Sequence, residues 1–87
     1  MKLAEILSGP EKWTKGIYKQ SGRFCLMGAI WQTVVSRDYE TLRSERHRAE
    51  RLIGENCAEM WNDAPERTWE EVATVVEAYD RDRLLNP

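Results

Sequence analysis

Cys25, His47 and Asp63 are the residues of this 87-residue chain whose types could together break a bond. A thiol becomes a nucleophile when an imidazole takes its proton, and a third group, here Asn62 or Asp63, would fix the ring. Cys25 falls at the start of an apolar run that reads as helix, where the N-terminal dipole can lower a thiol pKa. His47, however, stands in Arg43-Ser44-Glu45-Arg46-His47-Arg48, on the charged side of its helix and away from Leu42 and Ala49. Free cysteine is also among the most buried residue types, so the favoured reading of Cys25 is structural. The three residues stand as candidates for a thiol-dependent enzyme or sensor, the alternative to a non-enzymatic protein.

Other polar groups invite binding rather than catalysis. Asn62, Asp63, Arg67 and Thr68 could hold a small ligand, but Asp and Asn around a proline are turn formers. An Asp63–Arg67 ion pair fixing that loop is the expectation. Trp31 and Trp61 lie in apolar helical patterns and read as core. Trp13 and Trp69, flanked by Lys12, Lys15 and Glu70, read as partly exposed anchors for a protein partner. Arg43 and Arg48 on the arginine-rich helix complete the candidate binding surface. Nucleic-acid binding is not favoured, because Glu45 and Glu50 interrupt that helix and Arg46–Glu50 is an i,i+4 pair. Two cysteines and one histidine are too few for a closed structural zinc site. Neither a Walker phosphate loop nor a dinucleotide fingerprint occurs, so no metal and no cofactor is implied.

Composition bounds the rest. One small domain of this length has a thin stability margin, which four tryptophans and three tyrosines help to offset. Formal charge is −2, which gives no general attraction to nucleic acid or anionic membrane. The charges are unevenly placed: residues 1–51 carry ten Lys/Arg against six Asp/Glu, and residues 52–87 carry three against nine. The two halves are therefore expected to attract each other in the fold. No apolar stretch approaches the length of a membrane span, no signal-peptide core follows Met1, and the cysteine spacing is not C-x-x-C. Those features fit a reduced, cytoplasmic protein.

The elements that must position these residues are mostly helical. Residues 2–7 predict a short amphipathic helix stopped by Ser8-Gly9-Pro10, and Pro10 opens a further turn. Residues 17–24, with β-favouring types around Ser21-Gly22, suggest a short hairpin. Residues 24–35 predict a central helix buried on most of its circumference. Gly28 within it implies close approach by another helix backbone or a ring. Residues 37–53 predict a charged amphipathic helix with Tyr39, Leu42, Ala49 and Ile53 on its apolar side and the Arg46 stem along the core edge. Cys57, Met60 and Trp61 continue an apolar face as far as Asp63, before Pro65. Thr68-Trp69-Glu70-Glu71 forms a capping box for the last helix, whose stripe is Trp69, Val72, Val76, Tyr79 and Arg83.

Three ordered motifs are similar to a known family: Trp13-Thr14-Lys15-Gly16, then Cys25-Leu26-Met27-Gly28-Ala29-Ile30, then Trp61-Asn62-Asp63-Ala64-Pro65-Glu66-Arg67-Thr68 with Glu71-Val72. Together they resemble a family of small uncharacterised proteins of actinobacteria and their phages, over most of residues 1–80. The resemblance implies a bacterial or phage accessory protein and supplies no reaction. The expectation is thus a mainly α single domain, residues 1–87, of four or five helices around a buried central helix. Its expected role is protein–protein interaction with a host or cellular partner, with homodimerisation open.

Overall fold

Helix α2, Leu26–Thr33, sits at the centre of a computed structural model that describes residues 1–87. Around it lie α1 (Leu3–Ile6), a hairpin of β1 (Lys19–Gln20) and β2 (Arg23–Phe24), α3 (Tyr39–Ile53), α4 (Ala58–Asp63) and α5 (Trp69–Leu85). The mainly helical fold with its small hairpin follows the sequence expectation. Its core joins Leu3 and Leu7 to Leu26, Met27, Ala29 and Ile30, closed by Ala49, Ala58, Val72, Val76 and Tyr79.

The central helix is shorter than residues 24–35. Cys25 is its N-cap, the sulfur accepting from the Gly28 amide at 3.3 Å. Val34 ends it in extended backbone, and Val35 projects 98% exposed into the link to α3. β-branching lowers the helix propensity of these valines only slightly, so the exit is set by the link the chain must make to the Asp38 cap of α3. Gly28 is indeed a site of close approach, but the intruder is the backbone of Tyr18, in the chain entering β1. A Cβ built on Gly28 would stand 2.0 Å from the Tyr18 carbonyl oxygen, which also accepts the Cys25 amide at 3.2 Å.

Ser21 and Gly22 both adopt positive φ, 51° and 78°, as a tight two-residue hairpin turn requires. The hairpin register pairs Lys19 with Phe24 and Gln20 with Arg23. A ribbon this short holds only because it lies on other elements. Trp13 bridges to Phe24, and the Thr14 amide donates to the Phe24 carbonyl at 3.0 Å.

Caps fix the other helix ends. Asp38 accepts from the Thr41 amide at 2.8 Å, and Gly54, at φ 73°, closes α3 in left-handed backbone. Thr68 and Glu71 form the expected capping box of α5. The four-residue α1 cannot stand alone, and Asp80 of α5 holds it by accepting the Leu3 and Ala4 amides at 2.7 and 3.0 Å.

The basic first half and acidic second half meet as expected. Arg48 reaches Asp82 at 2.5 Å, Arg51 reaches the same carboxylate at 2.9 Å, and Arg46 grips Glu59. The fully buried Tyr79 donates its hydroxyl to Glu45, so α3 and α5 join through polar groups over an apolar floor. Tyr39, placed on the apolar side of α3 by its spacing, is instead 75% exposed, because it lies in the first turn beyond the end of α2. No helix is long and apolar enough to cross a membrane.

Candidate functional site

Glu59 and Asp63 of α4, one helical turn apart, both face the chain entering β1, accepting from the Tyr18 hydroxyl and the Gly16 amide. Between them opens a cleft of about 330 Å³ lined by Gly16, Ile17, Tyr18, Cys25, Glu59 and Asp63. Two carboxylates, a phenol and a thiol thus share one depression, and no Lys or Arg lines it.

Glu59 is the most constrained of these groups. Arg46 of α3 donates both terminal nitrogens to it at 2.7 and 2.6 Å, and the Tyr18 hydroxyl donates at 2.7 Å. The arginine hydrogen bonds, helped by that of Tyr18 and opposed by desolvation, hold the Glu59 carboxyl down at about 2. The same carboxylate pushes the Tyr18 phenol above its usual range. A carboxyl lowered by folding stabilises the fold fully above its unfolded pKa, and that support is lost as pH falls through the folded value. The stability advantage of wild type over Glu59→Gln is therefore expected to be full near neutrality and to shrink between about pH 4.5 and about pH 2. Urea midpoints of both proteins across that range check it; a constant difference would detach Glu59 from Arg46.

Cys25 forms the cleft's inner end and is 3% exposed. Burial pushes its thiol pKa up, the Gly28 and Met27 amides pull against this, and the charges of Asp63 and Glu59 push it further up. The helix-end position predicted from sequence is present, yet desolvation outweighs it. His47 is exposed on α3 and lines a separate shallow depression with Glu40, Arg43 and Ser44. Asp63 comes to Cys25 and His47 does not, so no thiol–imidazole pair forms. Cys57 is half-buried, its sulfur 3.6 Å from a Glu59 oxygen. Brief treatment of the native protein with iodoacetamide should modify Cys57 first and Cys25 only after urea is added, read by mass spectrometry. Rapid alkylation of native Cys25 near neutral pH would restore the thiol-enzyme reading. No three His, Cys, Asp or Glu side chains converge as metal ligands.

Asn62 is a hub whose side chain is fully buried. Its oxygen accepts from the Trp13 indole at 2.7 Å and the Leu26 amide at 3.0 Å. Its nitrogen donates to the Thr14 carbonyl at 3.1 Å and to Asp63 at 2.9 Å. Neither Asn62 nor Asp63 orients a histidine. The expected Asp63–Arg67 pair is absent: Asp63 accepts the Gly16 amide at 2.9 Å, while Arg67 donates to the Trp61 carbonyl at 2.8 Å and pairs with Glu71 at 3.0 Å. The Arg67 guanidinium also lies 4.1 Å from the Trp61 ring centroid, so stacking and a carbonyl hold it where an ion pair was expected.

The four sequence candidates for a binding surface scatter. Trp13 packs against Trp69 with the rings tilted by 45° and their centroids 6.4 Å apart, and both are half-buried. Trp31 and Trp61, expected in the core, are half-buried as well. Arg48 is engaged by Glu45, Asp82 and the Asn86 carbonyl. Arg43 is exposed, with no hydrogen-bond or ion-pair partner, beside a groove of about 180 Å³ lined by Trp31, Tyr39, Leu42, Arg43 and Arg46.

A larger groove, about 390 Å³, runs between α1 and α5. Its floor is Leu7, Ala73 and Val76, Trp69 stands at one end, and Lys2, Glu77 and Asp80 form the rim. Sequence reasoning passed over Tyr18, Glu59 and Ala73. The legible signals were the i,i+4 spacing of Glu59 and Asp63 and the small Ala73 within the stripe that starts at Trp69.

No curated protein and no solved structure matches this chain. A family model does match, over residues 2–81, and the ordered motifs around Cys25 and Asn62 lie inside that span. The chain therefore belongs to the Family of unknown function (DUF6197).

Proposed function

We propose that this protein is a small non-enzymatic interaction module, an accessory protein of actinobacterial or phage origin that docks on a host protein through the α1–α5 groove. The observation that carries the reading is the groove itself. Trp69, Ala73, Val76, Glu77 and Asp80 fall at successive turns of α5, and the small Ala73 leaves a trough between the Trp69 ring and the charged rim. An apolar floor ringed by opposite charges is the anatomy of a protein-binding patch, with tryptophan as its anchor. Trp13 braces Trp69 from behind. The His47 imidazole lies in a separate depression from the Cys25 thiol and the Asp63 carboxylate, so the thiol-enzyme alternative gains no support from their placement.

Ala73→Arg tests this. Ala73 is only half-buried, so an arginine there fills the trough while its stem lies on the surface. Affinity capture from an actinobacterial lysate should retain a stoichiometric protein with wild type and lose it with Ala73→Arg, while the melting temperature stays close. An identical set of retained proteins for both would end the proposal.

A further inference from the structure

The acidic cleft and the basic groove are neighbours that share a wall. Tyr18 and Glu59 line the cleft, Trp31 and Arg46 line the groove, and these four side chains form one wall between them. The Tyr18 and Trp31 rings are 4.7 Å apart, and Arg46 is bound to Glu59 at 2.6 Å through that wall. No cation lines the cleft and no carboxylate lines the groove. Asp63 on one side and Arg43 on the other have no ion-pair partner, unlike Glu59 and Arg46. Apolar surface accompanies both: Ile17 and Tyr18, each 44% exposed, beside the cleft, and Tyr39, 75% exposed, beside the groove.

We propose that this surface is self-complementary and that a second copy of the chain covers it, the acidic cleft of each protomer facing the basic groove of the other. A two-fold axis lying along the Tyr18–Trp31 wall exchanges the two sides, so each cleft-to-groove contact occurs twice, as in any isologous interface. Arg43 of one copy then meets the Asp63 carboxylate of the other, and Tyr39 meets Ile17. Charge complementarity selects a second copy over a uniformly acidic or basic partner, because either would be repelled on one side of the wall. This face is separate from the α1–α5 groove, so the inference does not depend on the proposed function.

Sedimentation equilibrium of the full chain from about 1 µM to about 1 mM at low salt is the test, because that span covers weak and moderate dimers. Wild type should shift from monomer to dimer, and added salt should weaken it. Arg43→Glu and Ile17→Ser change exposed groups on opposite sides of the wall that carry no structural hydrogen bonds. Arg43→Glu should raise the dissociation constant by about a hundredfold, since it replaces attraction with repulsion at two places. Ile17→Ser should raise it by about tenfold. Leu84→Ser, at an exposed position away from both linings, should leave it unchanged. A chain that stays monomeric throughout overturns the proposal and leaves the surface to a different partner. A dimer insensitive to both variants on the wall overturns it too, by placing the interface elsewhere.

Discussion

Gly28→Ala is expected to destabilise the fold by about 3 kcal/mol or more, enough to leave so small a domain largely unfolded. In an ordinary helix interior the same change would stabilise by about 1 kcal/mol, because glycine is the poorer helix former. The sign reverses because the new methyl would sit 2.0 Å from the Tyr18 oxygen and 2.8 Å from its carbonyl carbon. Neither partner can step aside cheaply. The Tyr18 carbonyl accepts the Cys25 amide, its ring packs at a tilt against Trp31, and its hydroxyl is bound to Glu59, so the chain is fixed from three directions. Gly28 cannot retreat, because α2 is walled by buried Leu26, Met27, Ala29 and Ile30. Urea denaturation followed by tryptophan fluorescence gives the measurement. A Gly28→Ala protein as stable as wild type would mean that the Tyr18 backbone does not lie on α2 as described.

That contact shows where sequence reading succeeds and where it stops. Elements defined by neighbours in the chain were legible: the Thr68–Glu71 box, the Ser21-Gly22 turn, the Pro10 turn and the stripe from Val72 to Tyr79 all rest on spacings of two to four residues. Gly28 announced a close approach, but a helix and a strand can both supply a backbone at that distance, and nothing local says which. The ends of α2 were misplaced because Val34 and Val35 are apolar enough for a helix that stays buried, while the chain must leave the core there to reach Asp38. Ion pairing was read best within a helix, as at Arg46–Glu50, and worst between elements. Arg46–Glu59, Arg48–Asp82 and the Tyr79–Glu45 hydrogen bond join residues 13 to 34 positions apart. The candidate cleft belongs to that second class. Its carboxylates stand at i,i+4 spacing on one helix, a signal the sequence reading passed over, while its phenol and thiol come from the chain entering β1 and a helix cap, whose meeting depends on the whole fold.

Asn62 carries the second large prediction. Its carboxamide uses both donors and two acceptor sites, and through them it ties the Trp13 segment, the N-terminus of α2 and the end of α4 into one buried junction. Asn62→Ala removes all four bonds and strands the Leu26 amide and the Thr14 carbonyl away from other partners. An unsatisfied buried group costs about 1–3 kcal/mol, so a loss of about 3–5 kcal/mol is expected once overlap between the terms is allowed for. Trp13 should then swing free of its place beside Trp69, and its fluorescence should shift to the red in whatever folded protein remains. Asn62→Asp discriminates further, since the shape and both acceptors survive. Ionised, the new carboxylate would keep the Trp13 and Leu26 donors but would turn one oxygen toward the Thr14 carbonyl and Asp63, and this repulsion with burial is expected to outweigh the two donors and raise its folded pKa above the unfolded value. The variant should therefore gain stability as pH falls from neutrality through its folded pKa toward its unfolded one, over a range where wild type gains none. Paired urea midpoints near pH 7 and pH 5 decide the matter. A pH-independent gap between Asn62→Asp and wild type would mean that the Trp13 and Leu26 donors offset the repulsion from the Thr14 carbonyl and Asp63.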